Sequence, residues 1–337
     1  MSDAAKASRL QDLARVAEMH FRERLDQKEI AARIHASRST VSRMLRDAVE
    51  LGIVEVTIRH PFPRDHQLEQ ELIEHFGLEE AWVLGRDSVT TDDDRVAFGA
   101  LGARCIGEQL RDGSKLAICW GRATRLVVEN LQAVDGVRVH LVQMIGSLGT
   151  SDVQNDGVEL ARLGARRLGG TYELLNAPLV VDDAVFAKSL LKQSAIDKVL
   201  RAAESADCAL VGLGTIDPSS SAIHSAGFMT DRELDEATRL GAVGDVSGIL
   251  IDAHGRSVTS SFSARVIGLP LERLRHIKRV VGVAFGVDKA PIIRAAALGG
   301  HIRILVTDRA AARRVLELAN APIIPQSNPY PQESSAL

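Results

Sequence analysis

The pattern of apolar and polar positions changes period once along the chain. Over the first fifty residues apolar side chains recur at helical spacing. Leu10, Leu13, Val16, Ala17 and Phe21 share one face of a helix predicted from about Arg9 to Arg24. Ile30, Ala31 and Ile34 make a second stripe, and Val41, Met44 and Leu45 a third. The last helix runs to Leu51 and stops at Gly52, a residue suited to a left-handed cap. Ile53 to Ile58 alternates as a strand does, and two prolines between His60 and Pro63 then favour an extended connection. We therefore expect a domain over residues 1–58, a second over 59–324, and a disordered tail over 325–337, rich in Pro, Ser and Asn.

Beyond the connection, short apolar runs alternate with amphipathic segments. The runs Ala81–Leu84, Leu116–Trp120, Val137–Met144, Cys208–Val211, Ile249–Ile251, Val280–Phe285 and Ile302–Thr307 read as strands. Helices are expected over 64–76, 93–111, 122–132, 155–168, 288–298 and 308–319. Continuous apolar runs between helices indicate parallel strands buried on both faces. The fold class is α/β: an all-α N-terminal unit followed by a doubly wound, Rossmann-like sheet.

A length of 337 residues agrees with two domains, and 45% apolar content supports a sizeable core. Aromatics are only 4%, so aliphatic side chains must fill that core. The net charge of −3 gives no bulk affinity for nucleic acid, so any basic surface must be local. Cys105, Cys119 and Cys208 show no pairing or metal spacing, which suits a reducing cytoplasm. The polar N-terminus and the lack of an apolar run near 18 residues argue against a signal peptide or membrane span. No metal and no cofactor is expected.

The local basic surface lies in the second half of the helical unit. Between its two stripes stands a short turn, His35-Ala36-Ser37, and Ser37 is placed to cap the next helix. Past that cap the outward positions are Arg38, Ser39, Thr40, Ser42, Arg43 and Arg46. Hydroxyls of this kind contact phosphates or base edges, and Arg forks onto guanine. No acid interrupts the run from Arg33 to Arg46. The segment from Gln27 to Arg46 reads as a helix-turn-helix for the major groove of operator DNA, with Gln27 opening its first helix. His35 sits where the turn favours a positive φ and where Gly is usual. The bland alternative is an αα-hairpin with a solvated basic face.

A ligand site is expected at the carboxyl ends of the strands. The turn after the second strand carries Gly121 and Arg122, with Thr124 and Arg125 following. Cations in the first turn of a helix oppose its dipole unless an anion shares the site. A second turn holds Gly212, Gly214 and Thr215. A third holds Lys289, beside an Asp288 able to cap the helix. A fourth, read as a glycine-punctuated turn over 241–245, ends in Asp245, whose carboxylate suits sugar hydroxyls. Cations together with a carboxylate suggest a small polyol phosphate. A dinucleotide site fails on pattern, since Asp217 stands at the third glycine of Gly-x-Gly-x-x-Gly.

These segments resemble the SorC-type sugar-binding regulators of bacteria. The matching stretches are Ser-Arg-Ser-Thr-Val-Ser-Arg-Met-Leu at 37–45, Gly-Ile-Val-Glu-Val at 52–56, Trp-Gly-Arg at 120–122, Val-Gly-Leu-Gly at 211–214, Gly-Ala-Val-Gly-Asp at 241–245, Val-Ala-Phe-Gly-Val-Asp-Lys-Ala at 283–290 and Leu-Val-Thr-Asp at 305–308. The resemblance implies an effector domain with the fold of glucosamine-6-phosphate deaminase and ribose-5-phosphate isomerase. It implies a sugar, polyol or sugar-phosphate effector, and a homo-oligomer, dimer or tetramer. It places Gly121, Arg122, Asp245 and Lys289 around the ligand, with Gly212, Gly214 and Thr215 nearby. The chain departs from the family at Ala123, where Thr or Ser is frequent, and Thr124 comes one residue later.

The expected function is thus a transcriptional regulator of a carbohydrate or polyol catabolic operon. The alternative is a sugar-phosphate isomerase or deaminase carrying a DNA-binding domain. It would use Asp245 with His224 or His254 as acid and base. Coupling between the two functions is expected in the helix and strand around residues 46–76.

Overall fold

In a computed structural model the described residues are 3–54, 63–133, 136–149 and 153–320. The chain divides into two compact units, Met1–Pro61 and Phe62–Leu337.

The described residues of the first unit form three helices: α1 (Asp3–Phe21), α2 (Gln27–Arg33) and α3 (Arg38–Glu50). Val16 and Met19 of α1, Ile30 and Ala31 of α2, and Val41 and Leu45 of α3 bury one another. Leu13, Ala17 and Ala48 extend this core, with Ile53 and Val54 packed on it. Leu10 and Phe21 were expected inward, but they are 39% and 51% exposed. They lie at the two ends of the α1 stripe. Asp26 caps α2, accepting from the N–H groups of Lys28 and Glu29, while Glu29 reaches back to its backbone. Ser37 caps α3 by accepting from Thr40 N–H at 3.1 Å. Gly52 follows α3 at φ +70°, and His35 in the turn has φ +52°. The expected strand over 53–58 falls mostly outside the described residues, as do residues 60–62 of the connection and the tail over 325–337.

The described residues of the second unit include nine strands: β1 (Glu80–Leu84), β2 (Lys115–Ile118), β3 (His140–Gln143), β4 (Thr171–Glu173), β5 (Cys208–Thr215), β6 (Ala242–Val246), β7 (Ile249–Asp252), β8 (Arg279–Val283) and β9 (Ile304–Asp308). Seven of them form a parallel sheet in the order β1-β9-β8-β5-β2-β3-β4. From β2 the chain steps to β3 and β4. It then returns to β5 on the other side of β2 and proceeds to β8 and β9. The direction of winding therefore changes between β2 and β5, which opens a crevice at their carboxyl ends.

Alternate strand residues enter opposite cores. Leu116, Ile118, Cys208 and Leu210 face one side, and Ala117, Cys119, Ala209 and Val211 the other. Helices cover both faces. After the connection come α4 (His66–Phe76), α5 (Asp92–Gln109), α6 (Arg122–Glu129), α7 (Gly157–Arg167), α8 (Ala184–Leu191) and α9 (Ser194–Glu204). Then follow α10 (Ala222–Ser225), α11 (Asp231–Arg239), α12 (Leu271–Leu274), α13 (Ala290–Leu298) and α14 (Arg309–Asn320). The runs expected as strands over 116–120 and 137–144 are shorter here, because Trp120 and Met144 lie past the last paired residues.

Two glycine-rich segments read as turns are strands. Gly212 to Thr215 prolongs β5 beyond the sheet, where Leu213–Thr215 pairs antiparallel with β6. The stretch 241–245 supplies β6 itself, which turns into β7. That hairpin turns through Ser247 at φ +50° and Gly248 at φ +81°. A two-residue connection with positive φ at both central positions matches the right-handed twist of the flanking strands.

Candidate functional site

A cavity of about 510 Å³ lies at the carboxyl ends of β2, β5 and β8. Three chain segments that pass the end of the sheet there make most of its wall. Trp120, Gly121 and Arg122 turn from β2 into α6, with Gly121 at φ +134°. Gly212 and Gly214 lie on the prolonged β5. Phe285, Gly286 and Lys289 turn from β8 toward α13, with Gly286 at φ +98°. Among the described residues neither α6 nor α13 has a side-chain cap; the first N–H of α13 is bonded to Val287 O and Pro291 follows, so the open helix start is that of α6. Asp288 does not cap α13 as expected, because Val287–Lys289 forms a 3₁₀ turn first. Its carboxylate instead lies 3.4 Å from Lys289 Nζ.

Asp245 is placed on the wall by the β5–β6 pairing, opposite Gly214. It is buried, and among the described residues its one hydrogen bond is from Gly248 N–H at 2.7 Å. Burial pushes its carboxyl up to about 6, against the pull of that N–H and of Lys289. Burial likewise holds the Lys289 ammonium below its ordinary value, opposed by Asp288 and Asp245. Arg122 is exposed and makes no ion pair among the described residues; its Nη2 donates to Ser220 O at 3.4 Å. Arg125, by contrast, is engaged by Glu129 and Gln154, each at 2.6 Å.

Six of the eight expected ligand residues thus share one wall: Gly121, Arg122, Gly212, Gly214, Asp245 and Lys289. Thr124 and Thr215 do not line it. Thr124 is fully buried with its hydroxyl 3.7 Å from Cys119 Sγ, and Thr215 accepts from Asp217 N–H. The sequence reading missed Trp120, Ser220 and Ser247 as wall residues. Among the described residues Trp120 Nε1 and Ser220 Oγ are buried without a hydrogen-bond partner. A buried polar atom left unpaired costs about 1–3 kcal/mol, which a ligand atom recovers by pairing with it. The run of serines from 219 to 221 was the available signal for Ser220; Ser247 had none, because its place depends on the hairpin.

In the first unit, Ser37, Arg38, Ser39, Arg43 and Arg46 are exposed, and Gln27, Thr40 and Ser42 half-buried. Ser37 Oγ gathers the hydroxyls of Ser39 and Thr40, each at 2.8 Å. Arg38, Arg43 and Arg46 make no ion pair among the described residues, whereas Arg33 is held by Glu23 at 3.1 Å. A helix with three unneutralised guanidinium groups on one exposed face is suited to a phosphate backbone.

Residues 60–317 match the family model described as "Putative sugar-binding domain", and residues 19–57 the "IclR helix-turn-helix domain". The chain is 33% identical over 311 residues to the transcriptional regulator LsrR of Klebsiella pneumoniae subsp. pneumoniae, covering 91% of this chain and 93% of that protein. It is 28% identical over 307 residues to the sorbitol operon regulator of Klebsiella pneumoniae, covering 90% and 97%. The full-length sorbitol operon regulator SorC from Klebsiella pneumoniae superposes with a TM-score of 0.68 at 27% identity, over 91% of this chain and 99% of that one. A sugar-binding domain from a Vibrio fischeri transcriptional repressor gives 0.69 at 30% identity, over 76% and 100%. Helix-turn-helix and ligand-binding α/β domain together define a DNA-binding transcriptional regulator with a sugar-binding domain. The chain belongs to the SorC-type family of sugar-binding transcriptional regulators.

Proposed function

We propose that this regulator controls a carbohydrate or polyol catabolic operon, and that a phosphorylated sugar or polyol in the 510 Å³ cavity is its effector. The observation that carries this reading is the wall itself. Arg122 and Lys289 reach it from either side of β5, and Asp245 stands on β6 with a single donor. An anionic group suits the Arg122 guanidinium and the uncapped start of α6. Ligand hydroxyls suit the open lone pairs of Asp245.

Operator DNA is met by α3, with Arg38, Arg43 and Arg46 outward and Gln27 at the start of α2. A homo-oligomer with two-fold symmetry calls for half-sites one helical turn apart or a multiple of it. The protein works in the cytoplasm; no described helix is long and apolar enough to cross a membrane. The cavity serves to bind its ligand and not to turn it over. Among the described residues no histidine lines the cavity, His224 is paired with Asp231 at 2.7 Å, and His254 is exposed. The histidine partner that the enzymatic alternative would give Asp245 is therefore not on the cavity wall.

The test begins with a duplex selected by the full-length protein from random DNA, and a thermal-shift panel of sugars, polyols and their phosphates. A ligand of the native state raises Tm by mass action. Asp245→Ala and Lys289→Ala should bind the duplex normally and lose the response to that ligand. Full response in both variants removes the cavity as the effector site. Arg43→Ala should weaken duplex binding by about 1–3 kcal/mol, and unchanged binding removes Arg43 from the readout.

A further inference from the structure

The motif Leu-Val-Thr-Asp at 305–308 ends β9 and lines no part of the cavity. Its last residue nevertheless touches the cavity wall from behind. Asp308 is fully buried, and its Oδ2 accepts from Gly286 N–H at 3.1 Å while Oδ1 accepts from Ala311 N–H at 2.9 Å. The wall turn at Gly286 and the first turn of α14 are thereby tied to one carboxylate.

The next residue reaches the opposite way. Arg309 Nε donates to Asp65 Oδ2 at 2.9 Å. Asp65 caps α4 through Leu68 N–H, and its own N–H donates to Val83 O on β1. Pro63, Arg64 and Asp65 are the first described residues after the stretch that joins the two units in sequence. They are held at several points. Gly85 N–H donates to Pro63 O at 2.6 Å. Arg64 forks onto the buried Glu69 at 2.7 and 3.0 Å, and its guanidinium lies 3.8 Å over the Trp82 ring. A forked charge pair whose carboxylate is buried and whose guanidinium is stacked on an aromatic is hard to open. The anchor therefore follows β1 and Arg309 rather than moving alone.

We propose that Asp308 and Arg309 are positioning residues that transmit occupancy of the cavity to the Pro63–Asp65 anchor. The proposal rests on the reading of the cavity as the effector site. A ligand on the Gly286–Lys289 turn shifts Gly286 N–H against Asp308. The β9–α14 junction passes that shift to Arg309, and Arg309 passes it to Asp65. Such a route carries coupling only if its contacts differ between empty and filled states.

Hydrogen exchange of the full-length protein, with inorganic phosphate as the probe, tests it. In the native sequence phosphate should slow exchange at 285–290 and at 64–69. Asp65→Asn keeps a good helix cap and removes the charge that Arg309 holds. In that variant the effect at 285–290 should remain and the effect at 64–69 should fall by about threefold or more. A ligand-free arm uses Gly286→Ala. It forces the wall at φ +98°, with the new Cβ 2.7 Å from Asp288 Oδ1. It should change exchange at 64–69 when Asp65 is present and not in Asp65→Asn. Equal responses at 64–69 with and without Asp65 overturn the proposal, as does a response confined to 285–290 in the native sequence. Phosphate without effect at 285–290 overturns the cavity reading itself and takes away this input.

Discussion

The Asp245 carboxylate fills the space that a side chain at Gly214 would occupy. A Cβ on Gly214 would lie 2.0 Å from Asp245 Oδ1 and 2.8 Å from its Cγ. The glycine is therefore required by the carboxylate, and its φ is not in the left-handed region. Gly214→Ala should displace Asp245 and cost about 1–3 kcal/mol of stability through overpacking. Affinity for the ligand found by thermal shift should fall with it. Urea unfolding and calorimetric titration read the two effects. An alanine variant as stable and as tight-binding as the native protein would show that the carboxylate does not sit there.

The same carboxylate gives the protein a distinct pH response. Its folded pKa is about 6, above the unfolded value, so the folded state binds more protons between the two. The associated stabilisation is complete below the unfolded pKa of about 4 and is lost as pH rises through about 6. The loss at neutral pH is on the order of 2–3 kcal/mol for this one group. Asp245→Asn cannot titrate. Its stability relative to the native protein should rise between pH 4 and 7, followed by denaturant midpoints. Parallel pH curves for the two proteins would contradict the assignment.

These two residues also mark how far the sequence was legible. The strand–helix alternation, the caps at Ser37 and Gly52 and the parallel sheet followed from local pattern, because each depends on neighbours within a few positions. Gly212 to Thr215 and 241–245 looked like turns because glycine is usually spent on backbone freedom. Here Gly214 and Gly244 make room for packing between strands. A Cβ on Gly244 would meet Gly214 O at 2.3 Å and Ile292 Cβ at 2.7 Å. That pairing joins residues some thirty positions apart, which no local period reveals. Thr124 was singled out as a ligand contact for its hydroxyl and its neighbours. Its hydroxyl points into the core instead, because its position on α6 faces β2 and β5.

His35 holds a left-handed backbone, φ +52°, in the turn between α2 and α3. That conformation costs a non-glycine residue roughly 1–2 kcal/mol. Glycine removes the strain, yet gains about 0.4–1 kcal/mol of extra freedom in the unfolded chain. The net gain from His35→Gly should therefore be small, no more than about 1 kcal/mol. A β-branched residue has no such relief, and His35→Val should destabilise the helix-turn-helix by more than about 1 kcal/mol. Thermal unfolding followed by helix signal orders the three proteins Gly, His, Val. A valine variant as stable as the native protein would mean that the turn takes another backbone path.

Arg122 and Arg125 occupy the same helix start and have opposite surroundings. Arg125 is neutralised by Glu129 and bonded to Gln154, whereas among the described residues Arg122 has only a long bond to Ser220 O. A cation without a counter-ion at a helix N-terminus works against the macrodipole, so removing it should cost the fold nothing. Arg122→Met should stay within about 0.5 kcal/mol of native stability and lose roughly 10- to 100-fold in affinity for a phosphorylated ligand. Arg125→Met should do the reverse, with unchanged affinity and a loss of up to about 1 kcal/mol from its half-exposed pair. Calorimetric titration and urea unfolding on both variants separate the two effects. If Arg125→Met lost the ligand and Arg122→Met kept it, the anion would belong on the other side of α6.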